Sequence, residues 1–221
     1  MATNNSTKTV DQYVEKLADF RVIVEPWQII TSALAVVNIM KQQLPYGTPV
    51  FAIGEQGLLD TLQAAGFELM TAKQAEKAEA LVMGLDRGIN FEKMVEATLL
   101  LRAGKPFFAT NPDKTFPTPR GFIPGAGAWV SVVVTATDIQ PTYAGKPFPY
   151  ILELALSRLD TSREFTFIVG DRLDTDIAGG QALGCPTALV LTGVNTFAQA
   201  QNWIPKVDII AESLSVLVGA S

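Results

Sequence analysis

Short runs of Val, Ile, Leu, Phe and Ala alternate along this chain with stretches whose apolar residues recur every three or four positions, which narrows the fold more than any other feature. Val50 to Gly54, Ala80 to Leu85, Pro106 to Thr110, Phe165 to Val169 and Thr187 to Leu191 predict strands. Helical spacing joins Val10, Tyr13, Val14 and Leu17, then residues 31 to 44, then Leu58, Leu59 and Leu62 with Gly66 as a stop. It returns through Phe91, Met94, Val95, Thr98 and Leu99, from Pro147 to Leu159, and around Ile177 to Leu183. Strands separated by helices predict parallel sheets, so the expected class is α/β. Phe20 to Val24 predicts one more short strand or an extended edge, and Ala128 to Ala136 a helix. Asn111 to Gly127, rich in Asn, Pro, Asp, Thr and Gly, predicts a long shaped connection of the kind that serves a site or a domain junction.

Composition removes several kinds of chemistry. The chain has 221 residues, 48% of them hydrophobic, enough for one full domain or two modest ones. With 22 acidic and 17 basic residues the net charge is -5, and no Lys or Arg run offers a footprint for nucleic acid. The absence of His rules out imidazole triads, and the single Cys185 cannot form an intrachain disulfide or a cysteine zinc site. Reactivity must rest on carboxylates, Lys, hydroxyls and backbone groups. No apolar run approaches the ~20 residues a membrane-spanning helix needs, and Met1 to Ser6 carries no leader pattern, so a cytoplasmic protein is expected.

Three segments offer chemistry, each with an ordinary structural reading beside it. Gly170-Asp171-Arg172-Leu173-Asp174-Thr175-Asp176 puts three carboxylates on the turn leaving a buried strand, the usual place for a site in an open parallel sheet. Asp171 and Asp176 suit one hard cation such as magnesium, or the turn simply caps the following helix. Lys146, between Gly145 and Pro147, is either a phosphoryl-neutralising ammonium or a solvated surface group. Thr3-Asn4-Asn5-Ser6-Thr7 supplies hydroxyl and amide donors before a helix, as an anion site or as an N-cap cluster.

Together and in this order, these segments resemble the signature set of haloacid dehalogenase-like hydrolases, in the branch of NagD nucleotidases, 4-nitrophenyl phosphatases and phosphoglycolate phosphatases. Thr3-Asn4-Asn5-Ser6 is similar to the second motif, Lys146 to the third, and Gly170 to Ile177 to the fourth. Ala109-Thr110-Asn111-Pro112-Asp113, Pro124-Gly125-Ala126-Gly127 and Leu191-Thr192-Gly193-Val194 also match this branch. The resemblance implies a Rossmann-like parallel-sheet core in residues 1–28 and 125–221 and an inserted α/β cap of the C2 type in residues 29–124. It implies magnesium-dependent hydrolysis of a small phosphorylated metabolite through an aspartyl-phosphate. Thr3, Asn4 and Lys146 would be catalytic, Asn5, Asn111 and Asp113 would contact substrate, and Asp171 and Asp176 would serve the magnesium. Members of the branch often form homodimers through the cap, so a homodimer is expected.

In that family the nucleophile opens an Asp-x-Asp-Gly motif after the first core strand, upstream of the segment matched by Thr3. Asp11, Asp86, Asp113 and Asp160 lack that pattern here. The expectation is an N-terminally truncated member, missing the first strand and its nucleophile and inactive as it stands, with open sheet edges. The alternative is a non-catalytic protein that binds a phosphorylated ligand or a partner.

Overall fold

The computed structural model describes residues 1–219, which form two compact units, residues 1–145 and residues 146–219. The first opens with β1 (Ala2–Thr3) and α1 (Val10–Asp19). Thr9 starts α1 with a capping box, its hydroxyl accepting from the Gln12 amide while the Gln12 side chain accepts from the Thr9 amide. The helix ends by turning the Phe20 and Val22 N–H groups back onto the Leu17 carbonyl, with Arg21 at φ 60. That ending uses the N–H groups of Phe20, Arg21 and Val22, and no strand forms over Phe20 to Val24, where the sequence predicts a short strand or an extended edge. Next come β2 (Ile30–Thr31), parallel to β1, and α2 (Ser32–Gln43), capped by the Thr31 hydroxyl.

The rest of this unit runs β3 (Pro49–Ile53), α3 (Gln56–Ala64), β4 (Glu68–Met70), β5 (Ala80–Met83), α4 (Phe91–Arg102) and β6 (Phe107–Ala109), the predicted alternation with β4 as an additional short strand. The connection after Asn111 contains a hairpin, β7 (Thr115–Thr118) and β8 (Gly121–Pro124). It leads to α5 (Ala126–Thr137) and β9 (Thr142–Tyr143). The strands order as β4-β3-β5-β6-β9, every pair parallel. Phe51, Ile53, Leu81, Met83, Leu100 and Leu101 form much of the core beneath the sheet, with Val130 and Val133 from α5. The Val-rich α5 overrides its β propensity because its buried side is supplied by packing against α4.

The second unit contains α6 (Tyr150–Leu159), β10 (Ile168–Gly170), α7 (Ala178–Leu183), β11 (Thr187–Val190), α8 (Phe197–Asn202), β12 (Ile209–Ala211) and α9 (Leu214–Leu217). Its three strands pair in parallel in the order β10-β11-β12. The strand predicted from Phe165 is shorter than expected. Arg163–Phe165 forms a 3-10 turn and Phe165 is 87% exposed, so the paired strand begins only at Ile168. Leu173, Ile177, Leu189 and Ala200 make the small core. No helix among the described residues is long and apolar enough to cross a membrane.

One carboxylate ties β11 to the start of β12. Asp208 accepts from the backbone amide and the hydroxyl of fully buried Thr187, at 2.8 and 2.9 Å. The amide, then the hydroxyl, holds its carboxyl below the usual range. Stability from this contact is therefore present above the unfolded carboxylate range and is lost as pH falls through the lower folded value. Asp208→Ala should cost about 1–3 kcal/mol at neutral pH by stranding buried donors, and the difference from the parent should shrink at strongly acidic pH. Urea melts of both proteins across pH check this.

Candidate active site

In the first unit, the parallel strands put their C-terminal ends on one edge, and the segment after β1 packs there. Gly57, at the start of α3, donates its N–H to the Thr7 carbonyl at 3.1 Å, and a Cβ on it would stand 2.5 Å from the Lys8 carbonyl carbon. A Cβ on Gly84, just beyond β5, would stand 2.8 Å from the Ser6 hydroxyl oxygen. Ser6 and Thr110, both buried, face each other hydroxyl to hydroxyl at 3.4 Å. Only residues without side chains permit this approach.

Within that segment the side chains brace their own backbone. The Thr3 hydroxyl accepts from the Asn5 amide at 3.2 Å, and the Asn5 side-chain oxygen accepts from the Thr7 amide at 2.9 Å. Burial pushes the Tyr13 phenol above its usual range, against the opposing pull of hydrogen bonds with the Thr3 and Asn5 side chains. Asn4 is buried, its amide nitrogen 3.3 Å from both Asp113 carboxylate oxygens. Its carbonyl accepts from the Asn111 side chain at 2.8 Å and from the Ser32 hydroxyl at 2.5 Å. Thr3, Asn4, Asn5, Asn111 and Asp113 therefore form one neighbourhood.

The second unit builds the acidic turn. β10 ends at Gly170, and Leu173–Ile177 winds as one wide π-helical turn before α7. Asp176 is buried, accepting from the Arg172 amide at 3.1 Å through one oxygen while the Lys146 ammonium sits 2.7 Å from the other. Asp171 accepts from the Val194 amide at 3.1 Å. The backbone is moulded around both carboxylates: a Cβ on Gly170 would lie 2.2 Å from the Asp176 carboxyl carbon, and one on Gly193 would lie 1.9 Å from an Asp171 oxygen. The third acid, Asp174, is exposed and pairs with Arg172 at 3.3 Å.

Comparison with known proteins gives the family. A haloacid dehalogenase-like hydrolase profile matches residues 1–68 and a HAD-hydrolase-like profile matches residues 143–217. The chain is 42% identical over 200 residues to an acid sugar phosphatase of Staphylococcus aureus, covering 90% of this chain and 76% of that protein. The chain belongs to the haloacid dehalogenase-like hydrolases. The p-nitrophenyl phosphatase of Archaeoglobus fulgidus matches with a TM-score of 0.91 and 35% identity, over 100% of this chain and 85% of that one. The glycerol phosphate phosphatase Rv1692 of Mycobacterium tuberculosis, solved with magnesium, matches with a TM-score of 0.91 and 34% identity, over 98% of this chain and 65% of that one. The fold of this hydrolase is accordingly the family's α/β Rossmann-like core with an inserted cap subdomain, in the branch of NagD-type and 4-nitrophenyl phosphatases.

The donor set in this hydrolase suits a hard divalent cation. Magnesium takes oxygen ligands and typically uses one or two carboxylates, leaving its other positions to water and phosphate. Asp171 and Asp176 supply two carboxylates on one turn, and the glycines beside them leave them room. Among the described residues no group of three or more His, Cys, Asp and Glu side chains gathers as a metal cage.

Other groups at the sheet edge belong to no motif of the sequence. Arg87 beyond β5 pairs with both oxygens of Glu55 beyond β3, at 2.9 and 2.8 Å, and its guanidinium lies 5.9 Å from the Phe116 ring centre. Tyr13, which in the sequence belongs to a helical stripe, hydrogen-bonds the Thr3 and Asn5 side chains. The available signal was position: Glu55 and Arg87 each stand just after a predicted parallel strand.

The Lys146–Asp176 pair is largely buried, with side-chain exposures of 12% and 10%. Lys146→Met should destabilise the protein by about 3–5 kcal/mol, because the remaining carboxylate is left without its cation. Adding Asp176→Leu should recover part of that loss, as read from the urea midpoints of the two variants.

Proposed function

We propose that this chain carries the phosphate-gripping and magnesium-binding groups of a phosphomonoesterase for small phosphorylated metabolites. The observation that carries the reading is the acidic turn at the end of β10, where Lys146 neutralises buried Asp176 beside Asp171. A buried cation beside two carboxylates is costly to assemble for stability alone, and phosphoryl chemistry gives it a use. The names of the related proteins, an acid sugar phosphatase and a p-nitrophenyl phosphatase, support the reaction class.

The roles follow from each group's chemistry. Thr3 and Asn4 present hydroxyl and amide donors to the phosphoryl oxygens, and Asn5 holds the shape of their turn. Lys146 contributes positive charge against the charge that develops on the phosphoryl group. Asp171 is the magnesium ligand. Asp176, with one oxygen already on Lys146, orients the surroundings of the metal. When bound, magnesium would neutralise phosphoryl oxygens. The cap is the α/β region of about residues 29–124, which contains β3, β4, β5 and β6. In it, Arg87, Glu55 and Phe116 offer a charge-balanced, partly aromatic surface to the organic part of the ester. The protein works in the cytoplasm, and a homodimer through the cap is its proposed assembly.

Nowhere in residues 1–221 does Asp-x-Asp-Gly occur. We therefore propose that the 221-residue chain by itself binds phosphorylated ligand without turning it over. Two measurements on the purified chain test this: titration calorimetry with inorganic phosphate and magnesium, and p-nitrophenyl phosphate hydrolysis. Saturable binding without release of nitrophenol is expected, with Asp171→Ala weakening manganese binding, manganese serving as a spectroscopic substitute for magnesium, by about tenfold or more. Magnesium-dependent release of nitrophenol would overturn the inactivity, and the absence of any phosphate binding by a folded sample would overturn the site.

A further inference from the structure

The resemblance implies that Asn111 and Asp113 touch substrate, but their hydrogen bonds point inward. Asn111 has two side-chain N–H donors. The nitrogen that bears them lies 2.8 Å from the Asn4 carbonyl and 3.0 Å from the Thr110 hydroxyl, and the Asn111 side-chain oxygen accepts from the Asp113 amide at 3.1 Å. Its donors are spent within the protein. Asp113 presents an ionised carboxylate, which accepts hydrogen bonds and donates none, and which repels an anion. Both of its oxygens lie 3.3 Å from the Asn4 amide nitrogen.

The Asp113 turn is itself fixed from behind. Its carbonyl accepts from the Gly127 N–H at 2.9 Å in the first turn of α5. A Cβ on Gly127 would lie 2.2 Å from the Pro112 carbonyl oxygen, and one on Gly125 would lie 2.3 Å from the Asp113 carbonyl oxygen. On the far side of Asn4, a Cβ on Gly145 would lie 2.5 Å from the Asn4 side-chain oxygen. A continuous line of contacts thus runs from α5 through Asp113 to Asn4, one residue from Thr3.

We infer that Asp113 and Asn111 are positioning residues: they aim the Asn4 amide and fix its backbone so that the Thr3–Asn4 donors meet a phosphoryl group, and they make no contact with substrate themselves. The inference rests on the functional reading above, and it makes a prediction opposite in sign to simple charge. Removing a carboxylate near an anion site should tighten anion binding if charge is all that matters. Removing a residue that aims the donor should weaken it.

The test uses the full chain, inorganic phosphate as the probe, and two variants. Asp113→Ala should raise the Kd for phosphate by about tenfold, the cost of roughly one well-made hydrogen bond. Asp113→Asn keeps an acceptor for the Asn4 amide and should stay within about threefold of the parent. NMR of the Asn4 side-chain amide supplies a readout independent of phosphate: its resonances should move and exchange faster in Asp113→Ala and be restored in Asp113→Asn. Phosphate binding in Asp113→Ala as tight as the parent's or tighter overturns the inference, as does an Asn variant no better than the Ala variant. If the parent binds no phosphate, the functional reading fails, and the positioning claim is then decided by the Asn4 resonances alone, unmoved signals overturning it.

Discussion

Parallel strands oblige the chain to put all their C-terminal ends on one edge, and this constraint organises the first unit. The turns after β3, β5 and β6 meet there, and the short segment after β1 lies against them through Gly57 and Gly84. Polar groups at that edge have little choice of partners. Ser6 faces Thr110, Asn4 faces Asp113, and the Asn4 carbonyl is held by Asn111 and Ser32. Among the described residues no buried side-chain nitrogen or oxygen lacks a partner, so burying these polar groups carries no unpaired cost.

The second unit applies the same geometry on a smaller scale. Its sheet is three strands wide, and the carboxylates stand where β10 gives way to a π-helical turn. A wide turn of this kind is uncommon in ordinary helices and recurs at functional sites. Here it lets the Asp176 side chain reach back to the Arg172 amide while Asp171 remains at the strand end. Gly170 and Gly193 are required because a single methyl at either would strike a carboxylate. The conformational cost of those glycines is accepted in exchange for room around the acids.

Neither unit's chemistry depends on unusual residues. The chain has no His, and its one Cys185 is buried, with burial pushing the thiol up and keeping it protonated. What distinguishes the candidate site is the assignment of ordinary amides, hydroxyls and carboxylates to fixed partners. That is also why Asp113, an anion beside an anion-binding segment, makes sense as a brace for Asn4.

The sequence by itself determined the α/β class, most helices, the longer buried strands and the acidic turn, because periodicity, caps and strand-end glycines are local signals that act over a few residues. It also singled out Thr3, Asn4, Lys146, Asp171 and Asp176 through their order along the chain. Tertiary structure alone decided which of these groups are spent on one another: Lys146 on Asp176, Asn111 on the Asn4 backbone, and Asp113 on the Asn4 amide. It alone removed the strand at Phe20 to Val24, whose extended propensity lost to a helix ending that uses its backbone N–H groups. The pairings of Arg87 with Glu55 and of Tyr13 with Thr3 and Asn5 were likewise invisible in one dimension. Hydrogen bonds and ion pairs between residues far apart in sequence are chosen by how the sheet stacks its turns, and no local pattern records that choice.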